Sequence, residues 1–165
     1  MSTTHIKFLV TDVDGTLTDG KIYMGGGGEA MKAFDVKDGY AIHEMLPEHG
    51  VTTVIVTGRQ SEIVANRARE LGADSVYQGV GDKLAFLKTF AAENGVTLGE
   101  IAYIGDDLSD LGCIAACGLG GCPADAADEV KRRAGFVSAK AGGSGAVRDF
   151  AERIIKNNTT GETVK

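Results

Sequence analysis

Ile6-Lys7-Phe8-Leu9-Val10-Thr11-Asp12-Val13-Asp14-Gly15-Thr16-Leu17-Thr18 is an apolar run that breaks off into two carboxylates, two positions apart, and a glycine. The run at 6–11 predicts a buried strand. Alternate residues of an extended chain point to the same side, so Asp12 and Asp14 can converge on one region. In a parallel sheet that region is the crevice beyond the strand's carboxyl end, where open α/β sheets bind ligands. Carboxylates this close repel each other unless a cation or a shared proton relieves them.

Outward from this stretch, strand-like runs alternate with amphipathic helical patterns. Strands are expected at 6–11, 52–56, 75–77, 100–104, 118–120 and 135–137. Helices are expected at 40–49, 61–71, 82–94, 108–116, 126–134 and 146–155. This alternation predicts the α/β class: a Rossmann-like, doubly wound parallel sheet with helices on both faces. The interval 18–36 interrupts it and reads as a small β-hairpin inserted after the first strand, with Gly25-Gly26-Gly27-Gly28 as a free turn. Pro47 should end or kink its helix. A single domain is expected over 1–155, with no large cap domain, and a polar, flexible tail over 156–165.

With 165 residues, 43% hydrophobic and 24% charged, the chain has the make-up of an ordinary globular domain. A formal charge of -6 argues against a nucleic-acid partner. No stretch is apolar for long enough to span a membrane, and residues 1–5 lack a signal-peptide layout, so a cytoplasmic protein is expected. Cys113, Cys117 and Cys122, odd in number and without a nearby His, read as reduced, buried thiols.

Four strand ends carry chemistry. The acid pair Asp12 and Asp14 is the first. Val54-Ile55-Val56-Thr57-Gly58-Arg59 is the second, offering a hydroxyl and an approachable amide to phosphate oxygens. Lys83 is the third, in a first helical turn where the dipole mildly disfavours it, as a residue neutralising a phosphoryl group would be. Ile104-Gly105-Asp106-Asp107-Leu108-Ser109-Asp110 is the fourth, a second acidic cluster. Carboxylates from two strand ends form a hard oxygen site suited to Mg²⁺, with Thr and Lys left for phosphoryl oxygens. Together these are the parts phosphoryl transfer needs.

The four elements resemble the signatures of the haloacid dehalogenase-like phosphatase superfamily. The resemblance implies that Asp12 is the nucleophile and Asp14 the general acid and then base. It implies a Mg²⁺ ion on the Asp12 carboxylate, the Asp14 backbone carbonyl and Asp106, supported by Asp107 and Asp110. Thr57, Gly58 and Lys83 would bind the phosphoryl group. Over most of its length the chain is similar to the capless subclass containing the 3-deoxy-D-manno-octulosonate 8-phosphate phosphatases. The match is carried by segments such as Lys32-Ala33-Phe34-Asp35-Val36-Lys37-Asp38-Gly39-Tyr40 and Gly142-Gly143-Ser144-Gly145-Ala146-Val147-Arg148. That similarity implies a phosphorylated sugar acid as substrate, contacted by Arg59 and Arg67, and a role in lipopolysaccharide precursor synthesis. It also implies a homotetramer in which a neighbour's hairpin replaces the missing cap.

Two other readings stay open at this stage. One is a phosphatase for a nine-carbon, sialic-acid-type nonulosonate 9-phosphate; Arg59 leans away from it, because those relatives carry an acid there. The other is a non-catalytic regulatory or oligomerisation module, for which the intact set Asp12, Asp14, Lys83 and Asp106 has no use.

Overall fold

A computed structural model describes residues 4–160. Strand β1 (Phe8–Thr11) is followed by a hairpin of β2 (Tyr23–Gly25) and β3 (Gly28–Met31). A helical stretch comes next: α1 (Val36–Tyr40), a π turn (Ala41–Met45) and α2 (Leu46–Glu48). Then follow β4 (Thr52–Val56), α3 (Glu62–Glu70), β5 (Ser75–Tyr77) and α4 (Lys83–Glu93). The remainder is β6 (Ile101–Ile104), α5 (Leu111–Ala116), β7 (Leu119–Cys122), α6 (Asp128–Arg133), β8 (Phe136–Val137) and α7 (Ala146–Thr160). Short 3₁₀ turns occupy Leu98–Glu100 and Leu108–Asp110.

The main sheet has the order β5-β4-β1-β6-β7-β8, and every neighbouring pair is parallel. The chain builds outward from β1 through β4 to β5, then returns to the other side of β1 for β6. The winding therefore reverses beside β1, which opens a crevice at its carboxyl end. Period-two geometry divides the core. Leu9 packs with Ile42, Leu46, Val64, Phe150 and Ile154 on one face. Its neighbour Val10 packs with Leu87, Phe90, Ile114 and Val130 on the other. The expected doubly wound sheet is thus present, with helices on both faces.

The structure adds detail to two local readings and corrects a third. The glycine run closes as a two-residue turn, Gly26-Gly27, with Gly25 paired to Gly28. Only Gly28 of the four takes a positive φ (116°). The end or kink expected at Pro47 takes a specific form: without an N–H and unable to pass the carbonyl four residues back, Pro47 follows a π turn in which the Leu46 N–H reaches Ala41 O, and the helix ends at Glu48. Helix α7 runs to Thr160, past the expected end at 155. The polar residues there are docked: Asn158 Oδ1 accepts the Ile6 N–H and its Nδ2 donates to Ile6 O, both at 2.8 Å. Residues 161–165 of the expected tail lie outside those described. Among the described residues, no helix is long and apolar enough to cross a membrane.

Candidate active site

Beyond β1 the chain turns sharply. The amides of Thr16, Leu17 and Thr18 all donate to Val13 O at 2.9–3.1 Å. The Thr18 hydroxyl accepts the N–H of Gly15 and of Gly20, each at 3.2 Å. Val13 and Leu17 are buried in the core, which leaves Asp12 and Asp14 facing the crevice. There they line a cleft of about 330 Å³ together with Thr57 and Gly58 beyond β4, Arg59, Lys83 at the start of α4, and Asp106 and Asp107 beyond β6. Four strand ends distant in sequence meet because β4, β1 and β6 are sheet neighbours and β5 adjoins β4.

Lys83 is 6% exposed. Its Nζ donates to Asp12 Oδ1 at 2.8 Å and to Asp110 Oδ1 at 2.7 Å. These carboxylates explain a lysine at a helix N-terminus. Burial works against its charge, but Asp12 and Asp110 outweigh burial and its pKa is raised. An ammonium has three donors, so one remains for a ligand oxygen.

Asp110 is fully buried and spent on structure. Its Oδ1 takes Lys83 and, at 2.6 Å, the Tyr103 hydroxyl. Its Oδ2 takes the N–H groups of Asp106 and Asp107 at 3.1 and 3.2 Å. Asp107 also caps the following turn through the Leu108 N–H. Carboxylate oxygens of Asp12, Asp106 and Asp110 lie within 4.8 Å of one another. With Asp110 satisfied by donors, Asp12 and Asp106 are the pair left to hold an ion. Burial, then Asp12, then Asp110 push Asp106 up to about 8. Burial and Asp110, opposed by Lys83, push Asp12 up to about 6. Among the described residues no lysine or arginine forms an ion pair with Asp106, so this hard, under-neutralised oxygen set fits a small divalent cation.

Two further charged residues, Lys32 and Glu29, touch residues of the cleft lining without lining it themselves. Lys32, just beyond β3, forms an ion pair with Asp14 and another, at 2.8 Å, with Glu29. Asp14 and Glu29 outweigh the burial of Lys32 and its pKa is raised. Glu29 also accepts the Ser61 hydroxyl at 2.6 Å and faces Arg59 at 3.5 Å. Arg59 stands 3.9 Å from Asp14 Oδ2. The spacing of Glu29 and Lys32 carried no signal, since alternation in a short strand does not say what it touches. Val80, Gly81 and Ser109 complete the lining.

Arg67 lies elsewhere. It pairs with Glu70 at 2.9 Å, sits 5.6 Å from the centre of the Phe34 ring, and lines a separate cavity beside Gly39 and Tyr40. The three cysteines are free, and burial raises each thiol pKa above its ordinary value, as for inert core thiols.

No family model matches the chain. Individual proteins do. The 3-deoxy-D-manno-octulosonate 8-phosphate phosphatase KdsC of Yersinia pestis is 40% identical over 151 residues, covering 92% of this chain and 80% of that protein. A crystal structure described as a probable YrbI family phosphatase from Pseudomonas syringae superposes with a TM-score of 0.91 at 42% identity, over 95% of this chain and 89% of that one. The octulosonate 8-phosphate phosphatase of Moraxella catarrhalis, solved with magnesium, phosphate and KDO, superposes with a TM-score of 0.89 at 38% identity, over 96% and 92%. Sequence, fold and the meeting of four strand ends agree: the chain belongs to the 3-deoxy-D-manno-octulosonate 8-phosphate phosphatase family of the haloacid dehalogenase-like superfamily.

Proposed function

We propose that the chain hydrolyses 3-deoxy-D-manno-octulosonate 8-phosphate to the free sugar acid and phosphate, through an aspartyl-phosphate on Asp12. The observation that carries this reading is the joint lining of one cleft by Asp12, Asp14, Thr57, Lys83 and Asp106. Asp12 forms a bond to phosphorus as the bond from phosphorus to the sugar oxygen breaks, and Asp14 gives that oxygen its proton. Asp14 then takes a proton from water, whose oxygen displaces the Asp12 carboxylate from phosphorus. The third Lys83 donor, the Thr57 hydroxyl and the Gly58 amide hold the phosphoryl oxygens.

The carboxylates of Asp12 and Asp106 and the backbone carbonyl of Asp14 would hold Mg²⁺, which when bound neutralises charge on the transferring group. Asp110 supports the ion indirectly, by fixing Asp106 and Asp107 through their amides. Arg59 pairs with the substrate carboxylate in this reading, which its half-exposed position in the cleft lining supports. Arg67, which lines a separate cavity, belongs to this reading as a substrate contact made across a subunit boundary. A homotetramer is part of this reading, supported by Met24 and Met31, which are 67% and 55% exposed on the hairpin. A cytoplasmic location is supported by three free thiols.

The test is phosphate release with Mg²⁺ from the octulosonate 8-phosphate and a nonulosonate 9-phosphate, compared as kcat/KM. Preference for the first is expected. Preference for the second overturns the substrate and keeps the chemistry; activity on neither overturns both.

A further inference from the structure

We infer that the hairpin orders the acid-base chemistry of its own chain, with Lys32 as the positioning residue that fixes the Asp14 carboxylate and Glu29 as the group that fixes Lys32. This rests on the reading of Asp14 as general acid and base.

The side chains form one relay. Asp14 Oδ1 takes the Lys32 ammonium, which also meets Glu29 Oε1. Glu29 Oε2 takes the Ser61 hydroxyl, and the Ser61 N–H donates to Gln78 Oε1 at 2.7 Å. The relay thus runs from the turn after β1, through the hairpin, to the start of α3 and the exit of β5. The Lys32 side chain is 1% exposed. Burying an ammonium is expensive unless its partners are held in place, so a pair of this kind is poorly explained as a contribution to stability. Nor is Lys32 arranged as a phosphate ligand: it does not line the cleft, and its ammonium is turned to Asp14 and Glu29. It acts through Asp14.

The geometry also distinguishes the two Asp14 oxygens. Oδ1 is held by Lys32, whereas Oδ2 stands 3.9 Å from the exposed Arg59 and has no closer cation among the described residues. Oδ2 is therefore the oxygen left to carry the proton to and from the reacting atoms. A carboxylate free to swing would present either oxygen at varying distance, and proton transfer demands hydrogen-bond reach. Lys32→Met keeps the length and the burial while removing the anchor.

The experiment compares Lys32→Met, Lys32→Arg, Glu29→Gln and Asp14→Asn with the parent enzyme. The substrates are octulosonate 8-phosphate and 4-nitrophenyl phosphate, whose leaving group departs without needing a proton. For Lys32→Met, kcat on the sugar phosphate should fall about 100-fold with KM changed by less than about threefold, the scale of a lost proton-transfer geometry. First-turnover release of 4-nitrophenolate should fall by less than about threefold, and Lys32→Arg should recover most of the loss. Glu29→Gln, which leaves Lys32 in place but loosens it, should fall about tenfold on the sugar phosphate and tests the relay even if Lys32→Met does not fold. Equal losses on both substrates, or an unchanged kcat in both the Lys32→Met and Glu29→Gln enzymes, overturn the proposal. An Asp14→Asn enzyme with full sugar-phosphate turnover overturns the assignment of Asp14 itself. An inactive Asp14→Asn beside an unaffected Lys32→Met overturns the proposal and keeps Asp14.

Discussion

Oδ2 of Asp106 stands 2.0 Å from the point where a Cβ on Gly15 would lie, so the carboxylate beyond β6 fills the space left by the missing side chain beyond β1. Gly15 also holds a φ of +90°, which L side chains rarely adopt. The glycine following the acid pair therefore serves both the turn and the close approach of the second acid cluster. Gly105 and Asp110 repeat the arrangement: a Cβ there would meet the Asp110 Cγ at 2.3 Å.

Gly15→Ala should consequently displace Asp106. Turnover should drop by about 100-fold or more, since small misplacements at a reacting centre have effects on this scale. Mg²⁺ affinity should weaken with it. Titrating Mg²⁺ into the variant, alongside steady-state rates, checks the prediction; near-parental Mg²⁺ binding would contradict it.

Lys83→Met should leave Asp12 and Asp110 buried without their shared ammonium. Breaking such a buried arrangement costs about 3–5 kcal/mol. Adding Asp110→Asn to the same chain should return part of the stability and none of the activity. Urea unfolding of the single and double variants reads the first effect, and phosphate release reads the second.

Asp38 provides a pH test away from the cleft. This carboxyl is buried; its Oδ1 accepts the Arg148 N–H at 2.8 Å, and its Oδ2 makes no hydrogen bond. Burial, aided by the charge of Asp35, pushes its pKa from 3.8 to about 6, against the pull of the Arg148, Gly145 and Val147 amides. The folded state thus holds this proton more tightly than the unfolded state. The group's stabilising contribution is complete below about pH 4 and disappears as pH rises through 6. Asp38→Asn, which can still accept the Arg148 N–H, should gain about 2–3 kcal/mol relative to the parent between pH 4 and pH 7. Parallel unfolding curves at pH 4, 5.5 and 7 measure this; a constant difference would refute it.

Asn158→Ala should destabilise the fold by about 1–2 kcal/mol, the worth of two hydrogen bonds to the Ile6 backbone. Truncation after residue 155 should cost more, because Asn157 also donates to Thr4 O. Thermal melts of both forms against the full chain provide the measurement.

Several of these features were not legible in the sequence, for a common reason. The polar run from 156 reads as a tail because nothing in its composition indicates that its amides meet a strand entry 152 residues away. Pro47 signals an interrupted α-helix, but the π turn that absorbs it depends on packing. Asp110 could be placed in the acidic cluster; that its four hydrogen-bond positions are filled by Lys83, Tyr103 and two amides could not.

What the sequence determined alone is the class of fold and which polar residues gather in one cleft. Short continuous apolar runs alternating with helical patterns are written in contiguous residues, and so are the polar motifs where runs end. From these the parallel sheet, the crevice beside β1, and the company of Asp12, Asp14, Thr57, Lys83 and Asp106 all follow. The tertiary structure alone decided which charges neutralise which. Lys83 reaches Asp12 across 71 positions, and Lys32 reaches Asp14 across 18. Arg67 turns to Phe34 and Glu70, outside the cleft. Such pairings depend on where separate elements pack, and at a few ångströms' separation in a buried site they govern proton and ion affinity far more than residue type does.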